Sequence, residues 1–83
     1  MEKKKSLGQH FLRAQAYLQA VADAAHIQRG ETVLEIGPGE GTLTEALLER
    51  GAHVVALEKD ARLISFLREK FATAAFEVVE GDA

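Results

Sequence analysis

Three short apolar runs separated by amphipathic stretches leave this chain very few architectures. Thr32-Val33-Leu34-Glu35-Ile36, His53-Val54-Val55-Ala56-Leu57 and Phe76-Glu77-Val78-Val79-Glu80 have the length and punctuation of strands. After Gly41, Leu43, Ala46 and Leu47 fall at helical spacing, and Gly51 suits the left-handed position past the helix end. Thr42 and Glu45 stand as in a capping box. Asp60 caps a further helix whose inward stripe is Leu63, Ile64, Leu67 and Phe71, with Arg62, Arg68, Glu69 and Lys70 on its wet side. A helix from Gln15 to about Ala25 precedes all of this, with Tyr17, Leu18, Val21, Ala22 and Ala25 as its apolar stripe. Strands alternating with helices predict an α/β fold built as a right-handed βαβαβ unit, half of a doubly wound parallel sheet. The nearly continuous apolar run His53 to Leu57 predicts a strand buried on both faces. In the complete fold the first strand lies centrally, so here its outer edge is expected to be bare and open to self-association.

Composition narrows the chemistry. Hydrophobic residues at 47% and charged residues at 28% match ordinary soluble domains, while 83 residues leave a single core little margin of stability. Without cysteine there are no disulfides, thiolate metal sites or cysteine nucleophiles. His10, His26 and His53 are scattered without metal-ligand spacing, so no metal is expected. No apolar run is long enough to span a bilayer and the first residues lack the pattern of a signal peptide, so no membrane partner and a cytoplasmic location are expected. The net charge of -3 hides an asymmetry: residues 1–13 carry +3, from Lys3, Lys4, Lys5 and Arg13 against Glu2, and the remainder -6. We divide the chain into a basic amino-terminal arm, 1–13, and a half-domain, 14–83. Such an arm neutralises phosphates, although terminal lysines also serve as simple solubilising charge.

The turn Gly37-Pro38-Gly39-Glu40-Gly41 joins the first strand to a helix, where glycine lets the backbone approach a ligand closely. Glu58 ends the second strand, where a carboxylate accepts from both hydroxyls of a ribose; standing alone it would read as a solvated charge. Asp82 follows the third strand, where it is equally a turn acid or an acceptor for an adenine amino group. Glu35 and Glu40 crowd the glycine turn with negative charge. That disfavours the pyrophosphate of NAD and favours a ligand with sulfonium and ammonium groups, S-adenosyl-L-methionine.

Four segments, in order, resemble the ribosomal RNA adenine dimethyltransferases. Lys5-Ser6-Leu7-Gly8-Gln9-His10-Phe11-Leu12 is similar to that family's amino-terminal signature, and Val33 through Thr44 to its methionine-binding motif. Val55-Ala56-Leu57-Glu58-Lys59-Asp60 resembles its ribose-binding motif and Glu80-Gly81-Asp82-Ala83 its adenine-binding one. The resemblance implies a Rossmann-like S-adenosylmethionine-dependent methyltransferase fold of which these are the first three strands, an incomplete sheet. It implies dimethylation of N6 of adenines in 16S-type ribosomal RNA, with the small ribosomal subunit as partner. His10 and Leu12 would line the cofactor pocket, Gly37 and Gly39 would lie beneath the methionine part, Glu58 would hold the ribose and Asp82 the adenine. Glu35 would anchor from behind, and the arm would touch RNA backbone.

The family's Asn-Leu-Pro-Tyr turn, which orients the target amine, does not occur in these 83 residues. Because catalysis there is largely positioning, no residue is assigned as catalytic and the chain alone is expected to show no turnover. A non-catalytic cofactor-binding or RNA-binding fragment, a relative acting on large-subunit RNA, and an NAD-dependent half-domain are the competing expectations. The segment Gly8 to Leu12 argues against the last.

Overall fold

A computed structural model of the chain describes residues 16–82. His10, Leu12 and the basic arm therefore lie outside the described residues. Helix α1 covers residues 16–24, followed by β1 (Thr32–Ile36), α2 (Thr42–Glu49), β2 (His53–Glu58), α3 (Ala61–Lys70) and β3 (Phe76–Glu80). The three strands form one parallel sheet in the order β1-β2-β3, with Ile36 opposite Leu57 and Glu58 opposite Glu80. The βαβαβ expectation holds, and the strand limits match the apolar runs except that β2 extends to Glu58.

Helix ends follow local chemistry where the chain supplies it. At the close of α2, the N–H of Gly51 donates to the Leu48 carbonyl at 2.9 Å and that of Ala52 to Leu47 at 3.2 Å, with Gly51 at φ 86. That is the paired-bond ending for which a left-handed glycine is suited. Asp60 accepts from the Arg62 N–H at 2.9 Å at the start of α3, and bonds to Arg62 hold its carboxyl below the usual carboxylate range. The capping box at Thr42 and Glu45 does not form. Gly41 enters α2 in the left-handed conformation and occupies the cap position, so Thr42 is already helical and no hydroxyl stands where a cap is needed. The Glu45 carboxylate turns instead to Lys70, at 3.1 Å.

Both crossover helices lie on one side of the sheet. Ala56 and Val78 pack there with Ile64, Leu67 and Phe71, while Val54 joins Ala46, Leu47, Ala52 and Ala22. The rings of Phe71 and Phe76 meet with centroids 4.9 Å apart, and Phe76 touches both clusters. Residues pointing the other way are largely bare: Leu34 is 66% exposed, Ile36 55% and Val79 52%. The expectation that β2 is buried on both faces is therefore corrected. Burial alternates along it because right-handed crossovers running in one direction place successive helices on the same face.

The stripe of α1 is corrected too. Only Ala22 is buried, whereas Tyr17 is 69% exposed. Val21, Ala22 and Ala25 border an apolar groove of about 290 Å³ against Val33 and Leu34 of β1. Besides the packing of Ala22, the helix is fastened by Arg50, whose guanidinium donates to Asp23 Oδ1, to Gln19 Oε1 at 2.9 Å and to the Gln19 carbonyl at 3.2 Å.

Candidate cofactor site at the strand tips

The carboxyl ends of a parallel sheet form a rim where every strand hands over to a loop, and ligands of open α/β sheets bind there. In this chain the ladder continues past the strand ends. The Gly37 N–H donates to the Leu57 carbonyl at 2.9 Å, and the Gly81 N–H to the Glu58 carbonyl at 2.9 Å. These bonds draw the three tips together around a cleft of about 170 Å³ lined by Ile36, Gly37, Leu57, Glu58, Lys59, Gly81 and Asp82. Gly37, Glu58 and Asp82 thus share one cleft. Gly39 does not line it and lies further along the loop.

Glu58 is 7% exposed and its carboxylate is fixed by its own chain. Oε2 accepts from the N–H of Lys59 at 3.0 Å and of Asp60 at 2.9 Å. Among the described residues Oε1 accepts no hydrogen bond, which leaves an oriented acceptor at the cleft. Asp82 is exposed. Two carboxylates with, among the described lining residues, Lys59 as the one cation make a set of acceptors suited to hydroxyl and amino donors. Ligand pockets commonly measure about 300–1,000 Å³, so this cleft accommodates one portion of a nucleoside-sized ligand. The groove beside α1 is larger, but its lining is apolar apart from Glu35 and offers no convergent polar groups. Among the described residues no group of three His, Asp or Glu side chains is gathered for a metal ion, and no helix is long and apolar enough to cross a membrane.

Glu35 stands behind the rim. It is 8% exposed and accepts a 2.5 Å bond at Oε1 from the hydroxyl of Thr44, itself fully buried in α2. This bond links the strand before the glycine loop to the helix after it. Thr44 was not singled out in the sequence, and its signal is faint, since a threonine on a helix usually bonds within its own turn. Burial pushes the Glu35 carboxyl above its ordinary 4.5, opposed by the Thr44 bond. An acid with a raised folded pKa binds its proton more tightly when folded. Its contribution to stability is therefore most favourable below 4.5 and declines as pH rises through the folded value. Glu35→Gln keeps an acceptor for Thr44 and cannot ionise. It should melt higher than the parent at neutral pH, with the gap closing below 4.5, in thermal denaturation followed across pH.

The loop between these parts has Gly37, Gly39 and Gly41 at φ 64, 60 and 88. A Cβ on Gly39 would meet nothing within 4 Å, but one on Gly41 would stand 2.6 Å from Phe71 Cε2 and 3.1 Å from Leu67 Cδ2. The third glycine of the motif is thus a packing position under α3, a role that its place in the sequence did not disclose.

Comparison with known proteins gives the family and the fold. The family model described as "Ribosomal RNA adenine dimethylase" matches residues 1–83. The chain is 50% identical over 82 residues to Ribosomal RNA small subunit methyltransferase A of Caulobacter vibrioides, covering 96% of this chain and 32% of that protein. It thus spans about a third of the length of this curated relative. Among solved structures it is similar to the 23S rRNA methyltransferase ErmE, with TM-score 0.73 and 40% identity over 81% of this chain and 28% of that one. It is also similar to the glycopeptide N-methyltransferase MtfA complexed with (S)-adenosyl-L-methionine, with TM-score 0.64 and 30% identity over 77% of this chain and 29% of that one.

Proposed function

The chain belongs to the ribosomal RNA adenine dimethylase family, and from that premise we propose that the protein dimethylates N6 of adenines in 16S-type ribosomal RNA, using S-adenosyl-L-methionine. In this reading the present chain holds the cofactor half of the site. The observation that carries it is the meeting of Gly37, Glu58 and Asp82 in one cleft at adjacent parallel strand tips. When bound, S-adenosyl-L-methionine supplies an electrophilic methyl group on a sulfonium. The chain's own residues bind and orient. Glu58 Oε1 accepts from the ribose hydroxyls, with the carboxylate held in place by the N–H groups of Lys59 and Asp60. Asp82 accepts from the adenine amino group, and Gly37 and Gly39 let the methionine portion lie against backbone. His10 and Leu12 complete the pocket from the amino-terminal arm, whose lysines meet RNA phosphates in the cytoplasm.

The 40% identity with a 23S enzyme favours, as a second reading, action on large-subunit RNA. Transfer of labelled methyl to undermethylated small subunits, run beside unmodified large-subunit RNA with a protein that carries these residues together with the base-positioning turn, separates the two; label in the large-subunit RNA alone would overturn the first, and the 83-residue chain by itself should transfer none. Calorimetry tests the cofactor half directly: the chain should take up S-adenosyl-L-methionine and its demethylated product, and not NADH.

Among the described residues no strand pairs with the outer edge of β1, and Leu34 and Ile36 of β1 and Val79 of β3 are exposed on the sheet face away from α2 and α3. We propose that the chain self-associates through this surface. Sedimentation velocity should show larger species growing with concentration, and the double variant Leu34→Lys, Val79→Lys should return it to monomer.

A further inference from the structure

Lys70 ends α3 and lies far along the chain from the glycine loop, yet its Nζ donates to the carbonyl of Glu40 at 2.8 Å. We propose that Lys70 is a positioning residue for the glycine loop, holding its crest in the path that admits the methionine end of the cofactor. The proposal rests on the cofactor reading above.

Among the described residues the loop has few other ties. Its start is tied by the Gly37 bond to Leu57, and the Gly41 N–H returns to Pro38 at 3.0 Å. Three of the five residues from Gly37 to Gly41 are glycines at positive φ, and Gly39 between the two ties leaves the backbone many alternatives. The Glu40 carbonyl lies within that stretch, and Lys70 is its partner from outside the loop. The lysine is itself well seated. Its ammonium stands 5.6 Å from the Phe66 ring centroid and 5.3 Å from that of Phe71, and 3.1 Å from Glu45 Oε1. The pair with Glu45 is partly exposed and adds little. The bond to the carbonyl is charge-assisted and joins elements distant in sequence. Phe71, the next residue, packs under Gly41, so the end of α3 supports the loop at two adjoining points. A loop released from this support populates its binding path less, and apparent affinity falls by that fraction.

Lys70→Met keeps a flexible stem against Phe66 and Phe71 but removes the donor; Lys70→Arg keeps a donor and the charge. In the 83-residue chain, amide exchange at Gly41 should quicken about tenfold in Lys70→Met while Val54 and Ala56 in β2 are unaffected. Affinity for S-adenosyl-L-methionine by calorimetry should fall about tenfold, and Lys70→Arg should restore both. Unchanged exchange at Gly41, a loosened loop with parental affinity, or faster exchange in β2 and the loop alike would each overturn the proposal. If the parent chain takes up no S-adenosyl-L-methionine, the cofactor reading fails, while the exchange comparison still decides whether Lys70 holds the loop.

Discussion

Gly41→Ala is expected to cost about 2–5 kcal/mol of folding stability, enough to leave much of the chain unfolded, as read by urea titration. Two penalties combine. A left-handed backbone costs an L-residue roughly 1–2 kcal/mol. The added methyl would also stand 2.6 and 2.9 Å from Phe71 ring carbons, and forcing a group into such packing costs about 1–3 kcal/mol. Phe71 has little room to yield, because its ring lies against Phe76 and its cluster includes the fully buried Leu67. Gly39→Ala is the matched control. It shares a positive φ but its Cβ would point into open space, so it should lose only about 1–2 kcal/mol. Equal losses in the two variants would show that the loop glycines act through backbone conformation alone and that the contact with α3 is unimportant.

Glu58→Ala should weaken the uptake of S-adenosyl-L-methionine by about a hundredfold or more. Each hydrogen bond from a ribose hydroxyl to a carboxylate contributes about 1.5–3 kcal/mol, and two are removed together. The fold should survive, since Lys59 is exposed and Asp60 half-buried, and shortening the side chain at the rim opens their N–H groups to water as a replacement acceptor. Glu58→Gln separates charge from shape: with one acceptor oxygen kept, its affinity should fall between those of the parent and the alanine variant. Binding by Glu58→Ala at parental strength, measured by calorimetry, would remove the ribose assignment. Circular dichroism on the same sample shows whether any loss comes from unfolding instead.

These expectations draw on two kinds of information. The strands at Thr32, His53 and Phe76, the ends of α2 and α3 at Gly51 and Asp60, and the placement of Gly37, Glu58 and Asp82 at strand tips could all be read from residue order. Apolar periodicity and the φ preferences of glycine act over a few residues, and the parallel βαβ connection then leaves one end of the sheet for all three tips. The capping box was misread from the same kind of local pattern, because a left-handed glycine one position earlier had already started the helix.

What residue order could not supply is who meets whom across the fold. Nothing in the pattern of β2 tells which of its two faces is covered, since both are apolar; the direction of the crossovers settles that, leaving Leu34, Ile36 and Val79 exposed. Nor does any spacing mark Thr44 as the partner of Glu35, Lys70 as the partner of the Glu40 carbonyl, or Phe71 as the ring beneath Gly41. Each of these depends on how far along the sheet a helix lies and how it is rotated about its own axis. That is set by side-chain packing summed over the whole core, a quantity to which no short stretch of chain has access.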